Sequence, residues 1–312
     1  MNSKQATFLA TLSVIILLAV SWGYIASPGR GTDDGRLRVV ATFYPLYYFA
    51  SEIGGQRTHV DSLIPFNSEP HSWEPAPSDI VRVDKARVFV YNGAGLEPWV
   101  EKLLGTLQNR GSMKVVDSSS GIDVMKGDAE NPSARNPHFW VDPVLAKQQV
   151  ENIKNGLMAA DPEGAAYYAQ RAEDLDARLD ALDSDFQEGL QNRTKDTIVT
   201  THEGFDYMAA RYNFTADSVL GISPNQEPSA KKIMEIVNLV EDHGLDVVFG
   251  EPVYNDKFMR TIADEVSHRT GRNVRVLILD GIHGRAGPHA SMDYFQIQAD
   301  NLKNLEIGLG AD

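Results

Sequence analysis

Short apolar runs alternate with amphipathic text twice over in this chain, and that rhythm constrains its fold more than any other feature. The runs Leu37–Phe43, His59–Ile64, Val88–Tyr91 and Lys114–Val116 read as strands in the first half, and Thr197–Thr201, Val247–Phe249 and Val274–Leu279 in the second. Helical text falls between them, over Pro45–Ile53, Ser78–Ala86 and Glu97–Leu107, then Phe205–Tyr212, Ser229–His243 and Asn255–Thr270. Strands separated by helices form parallel sheets covered on both faces. Between the halves, Asp142-Pro143 and Asp161-Pro162 are two helix-starting pairs, an N-cap followed by a first-turn proline. The second opens a run in which Leu175, Leu179, Leu182, Phe186 and Leu190 recur every three or four residues and form one apolar face. The predicted fold is therefore α/β: two lobes, each a parallel sheet flanked by helices, joined by a long rigid connecting helix. The expected boundaries are residues 1–36 for a leader and linker, 37–142 for the first lobe, 143–193 for the connecting segment and 194–312 for the second lobe.

A chain of 312 residues, 42% of them hydrophobic, has enough material for two lobes with a core each. A net charge of −14 argues against nucleic acid as a partner, since phosphate binding needs a basic surface. The absence of cysteine removes disulfides, thiolate metal sites and thiol nucleophiles together. Residues 6–26 run without a charge behind Lys4, long enough to span a bilayer and also suited to a signal peptide. Either reading, an uncleaved anchor or a cleaved leader, places the body of the protein outside the cytoplasm.

Placement separates the eight histidines. His71 lies in a proline-rich loop after a strand, His138 just before the Asp142 cap, and His202 at the end of TIVTT; Asp280 ends VRVLILD. Open α/β sheets bind ligands beyond the carboxyl ends of their strands. Three imidazoles and one carboxylate fill a tetrahedral shell, and that donor set leans toward Zn²⁺, with Cu²⁺ a competitor and Mn²⁺ preferring more oxygen. His283 and His289, just past Asp280, read as surface-loop residues. Trp73, Trp99 and Trp140 read as packing residues.

The stretch EPHSWEPAPSDIVRVDKARVFVYNGAGLEPWVEKLL resembles the first-lobe signature of the zinc/manganese-binding solute-binding proteins of ABC importers. NPHFWVDPVLAKQQVENI, TTHEGFDYMAARYNF and LILDGIHG resemble the three later ligand segments, so the likeness covers about residues 37 to 309. The resemblance implies that His71, His138, His202 and Asp280 bind the ion between the lobes, with Glu251 either hydrogen-bonded beside it or an alternative ligand. It also implies a monomer that is not an enzyme, outside the cytoplasmic membrane, handing Zn²⁺ (or Mn²⁺ or another divalent ion) to an importer's membrane permease. The acidic loop at 117–136 carries no histidine, unlike the histidine-rich loop common in that family.

Two other classes compete with this reading. One is a binding protein for a metal chelate or another small ligand, which would not need three converging imidazoles. The other is a zinc hydrolase, but His202-Glu203-Gly204-Phe205-Asp206 lacks the second histidine of a zincin helix. Protein purified without added metal should carry zinc, and zinc should displace manganese in competition; metal analysis showing tightly held manganese would reverse the preference.

Overall fold

The computed structural model describes residues 35–127, 134–224 and 227–311. The apolar amino-terminal run and its linker up to residue 34 lie outside these, as do residues 128–133 of the acidic loop. Among the described residues no helix is long and apolar enough to cross a membrane.

The first sheet comprises β1 (Leu37–Ala41), β2 (Thr58–Ser62), β3 (Val88–Tyr91) and β4 (Lys114–Asp117), with α1 (Tyr44–Gly54), α2 (Pro77–Asp84) and α3 (Val100–Thr106) among them. The second comprises β5 (Thr197–His202), β6 (Thr215–Leu220), β7 (Val247–Gly250) and β8 (Arg275–Ile278), with α6 (Asp206–Tyr212), α7 (Ala230–Asp242), α8 (Lys257–Thr270) and α9 (Tyr294–Leu309). Both sheets are parallel, in the orders β2-β1-β3-β4 and β6-β5-β7-β8. The chain order thus reverses between β1 and β3 and again between β5 and β7, which opens a crevice beyond the strand ends of each sheet. The sequence reading missed β6, a mostly half-exposed edge strand, and α9, whose capping box of Asp293 and Gln296 had marked its start.

The connecting segment holds two helices, one after each of the two helix-starting pairs. Asp142 caps α4 (Pro143–Ala160) by accepting from the Val144 and Leu145 N–H groups at 2.8 and 3.2 Å. The chain turns at Asp161-Pro162 and enters α5 (Ala165–Gly189), 25 residues long. The expected face of α5 is buried, extended by Tyr168 and Ala172, and the helix packs on α1 of the first lobe and α9 of the second.

One expectation is corrected. The strands alternate as period 2 requires: Val39, Ala41, Val88 and Val90 face one way with Ile198, Val247 and Phe249, while Val40 and Phe89, and Val199 and Val248, face outward into smaller clusters. The inward set forms a single apolar core running through both lobes, in place of one core each. The reason is that α4 packs on the first sheet, α9 on the second, and α5 on α1, α4 and α9, so their apolar faces join the two. Trp140 sits inside this shared core, its ring edge-to-face with Phe43 at a centroid separation of 4.7 Å, its indole N–H donating to Gly281 O at 2.7 Å and its carbonyl accepting from Tyr294 at 2.6 Å. Leu179→Ala, in the middle of α5 and fully buried, should cost about 2–5 kcal/mol in denaturant unfolding and lower one cooperative transition. Two separate transitions would contradict a shared core.

Candidate metal centre

Four segments from the two lobes bring histidines to one place. His71 comes from the loop after β2, His138 from the segment before α4, His202 from the last position of β5, and His283 from the turn after β8. One nitrogen of each lies within 4.8 Å of the others. His71 Nε2 is 2.9 Å from His138 Nε2, which is 3.2 Å from His202 Nε2. His138, His202 and His283 are buried and His71 is partly so.

Neighbouring side chains aim these rings. Glu251, directly after β7, accepts from His202 Nδ1 at 2.6 Å and from the His202 N–H at 3.3 Å, both through Oε1. Asn136 does the same for His138, with Oδ1 2.8 Å from Nδ1 and 3.1 Å from the backbone N. Its Nδ2 donates to Asp206 at 2.6 Å, which fixes which end of the amide is oxygen. With both Nδ1–H groups donating outward, the Nε2 atoms of His138 and His202 are bare lone pairs facing each other. Glu69 accepts the His71 N–H at 2.9 Å and also the phenol of Tyr254, in the second lobe, at 3.3 Å. Gly204 is a close approach, since a side-chain carbon there would stand 2.5 Å from the His202 ring.

Asp280 is not brought into this group. Its Oδ1 accepts the Ile282 N–H at 2.8 Å and its Oδ2 accepts from His289 at 2.7 Å. The turn after β8 puts Ile282 at φ 54°, and that reversal presents His283 to the centre instead. His283 and His289, expected on the surface, are 2% and 1% exposed. Both ring nitrogens of His283 lack a hydrogen-bond partner, as does Glu251 Oε2. The signal that could have found His283 is the pair of glycines flanking its turn: a side chain at Gly281 would meet Glu251 and His283, and one at Gly284 the backbone of Phe66.

Burial, helped by His202, pushes the His71 imidazole down to about 3. Burial first and the other rings second hold His138 and His283 well below the histidine range. Burial raises the Glu251 carboxyl, with His202 opposing. Burial thus favours the neutral, metal-binding form of His71, His138 and His283.

Residues 39–308 match the family of the ZnuA zinc-uptake complex component A, periplasmic. The chain belongs to this zinc-uptake family. The high-affinity zinc uptake system protein ZnuA of Bacillus subtilis is 31% identical to it over 98% of both chains. The Zn(II)-bound ZnuA-like domain of Streptococcus pneumoniae AdcA superposes with a TM-score of 0.74 at 28% identity, over 88% of this chain and 99% of that one. The chain spans 60% of the length of the whole zinc-binding lipoprotein AdcA. A laminin-binding protein of Streptococcus agalactiae, described as a bifunctional adhesin and metal transporter, gives a TM-score of 0.78 at 27% identity over 88% and 99% of the two chains. Members of the zinc-uptake family are binding components of importers, and the two-lobed parallel-sheet fold is theirs.

For His71, His138 and His283 the folded protein resists protonation. Below a pH of about 6.5 the unfolded chain binds the protons that the folded one refuses. Stability of the metal-free protein should therefore fall as the pH drops from there, by up to about 1.4 kcal/mol per histidine per unit, a window reaching down to about 3 for His71. Thermal unfolding of metal-free protein at successive pH values checks this; a midpoint flat from neutral pH to moderate acid would contradict it.

Proposed function

We propose that His71, His138, His202 and His283 take one Zn²⁺ between the lobes and that the protein delivers it, outside the cytoplasm, to the membrane permease of an ABC importer. The ion is cargo, held and released rather than used. The observation that carries this is the spacing of the inward nitrogens. A tetrahedron with Zn–N bonds near 2.0 Å has N···N edges of about 3.3 Å, and the His71–His138 and His138–His202 pairs stand at 2.9 and 3.2 Å. Two bare Nε2 lone pairs in a buried site need a cation between them. Four imidazoles suit Zn²⁺ and give Mn²⁺ none of the oxygen it prefers.

Glu251 is read as the residue that orients His202, not as a ligand, because its Oε1 is engaged with His202 Nδ1 and the cluster of mutually close ligand atoms is made by the four histidines. Asp280 is read as a brace for the turn that carries His283. The four donors complete a shell, leaving no open position for a reactive water, which speaks against a hydrolase. All four come from one chain, so a monomer suffices. His71 and His138 lie ahead of α5 and His202 and His283 after it, so the ion clasps the two lobes. The shared core and α5 limit lobe movement, and release then proceeds by displacement of the loops carrying His71 and His283 when the permease engages.

Calorimetric titration with Zn²⁺ tests the ligand set. His71→Ala, His138→Ala, His202→Ala and His283→Ala should each weaken binding by more than the roughly 10–100-fold typical of losing an outer hydrogen-bond partner. Unchanged affinity in the first three would end the assignment.

A further inference from the structure

Behind the centre, His289 lies between two carboxylates. Its Nδ1 is 2.7 Å from Asp280 Oδ2 and its Nε2 2.9 Å from Asp300 Oδ2, and the residue is 1% exposed. The oxygens sit at opposite ends of the ring, so the three groups face no common point and form a strut rather than a metal site. One end of the strut is fixed to α9. Asp300 is on that helix, and so are Asn301, which brackets the Asp280 backbone at 2.7 and 2.9 Å, and Asn304, whose Nδ2 donates to Asp300 at 3.4 Å. At the other end Asp280 Oδ1 holds the Ile282 N–H at 2.8 Å. That bond closes a turn whose β-branched residue takes φ 54°, a conformation that costs energy and persists only when its surroundings impose it. His283 follows immediately, with no hydrogen bond of its own to orient its ring.

The other centre histidines contrast with it: His138 and His202 each donate to an adjacent acceptor, Asn136 or Glu251. We propose that His289 is a positioning residue for the fourth nitrogen: by bridging Asp280 to Asp300 it holds the turn that presents His283, and so secures the all-nitrogen shell that favours Zn²⁺ over Mn²⁺. This rests on the reading of His283 as a ligand. Donation at both ends requires the imidazolium, one positive charge held between two carboxylates, and the raised titration of His289, caused first by its hydrogen bond to Asp280, agrees with it.

A double-mutant cycle on the full chain decides it, read by Zn²⁺ affinity against a chromophoric chelator and by the visible spectrum of the Co²⁺-loaded protein. His289→Ala should weaken Zn²⁺ binding roughly 10–100-fold, narrow the preference for Zn²⁺ over Mn²⁺, and move the Co²⁺ bands toward those of His283→Ala. Added to His283→Ala, it should cost little more, because residues acting through one contact are not additive. His289→Gln, which keeps one donor toward Asp280, should recover part of the loss. If His289→Ala fails to fold, Asp300→Asn at the partly exposed end of the strut replaces it and should shift the same bands. Wild-type affinity and spectrum in the His289 variant would overturn the proposal, and so would an equal loss in both backgrounds, which marks a merely structural role. Wild-type affinity and spectrum in His283→Ala alone would instead overturn the ligand reading beneath it.

Discussion

The centre depends on lone pairs held facing one another in a buried place. Asn136 and Glu251 take the Nδ1–H of His138 and His202, and both Nε2 atoms are thereby left bare at 3.2 Å. Removed from water, such an arrangement has nothing to offset its repulsion except a cation. The surrounding architecture keeps this arrangement from relaxing: His202 is the last residue of a central strand, His138 leads into a capped helix, and His283 hangs from a braced turn. The outward hydrogen bonds also raise the basicity of the inward nitrogens, so the same contacts that orient the donors strengthen them.

The fold supplies that rigidity through its interior. Two sheets of the same strand order are joined through α4 on the first, α9 on the second and α5 packed against both helices. Asp142 shows how closely the parts are joined. It caps α4 and also receives the Arg211 guanidinium of α6 at 2.6 Å, tying the first lobe's last segment to the second lobe. Further round the centre, the Phe66 carbonyl accepts the Arg285 N–H at 2.6 Å, so the turn carrying His283 is tied to the loop that leads to His71.

Much of this was legible in the sequence, because period-2 and period-3.6 patterns report burial directly. The seven strands read from apolar runs are all present, and α5 buries the face that Leu175, Leu179, Leu182 and Phe186 marked. The strand TADSVL escaped notice because an edge strand buries little and needs few apolar residues. His71 and His202 could be placed from where strands end and His138 from the helix cap that follows it, and the three do converge. Asp280 stood at a strand end too, but which residue a turn aims inward depends on its dihedral angles, and Ile282 adopts one that an isoleucine in sequence gives no reason to expect. The single shared core was equally hidden, since periodicity shows that a face is buried but not against what.

That common interior has a kinetic meaning. Two lobes with separate cores could swing apart under thermal motion and exchange their cargo with the medium. Here, prising them open would expose apolar surface belonging to both at once, which opposes loss of an ion by lobe opening. Such a carrier retains its cargo by default, and the work of unloading falls to the machine that receives it.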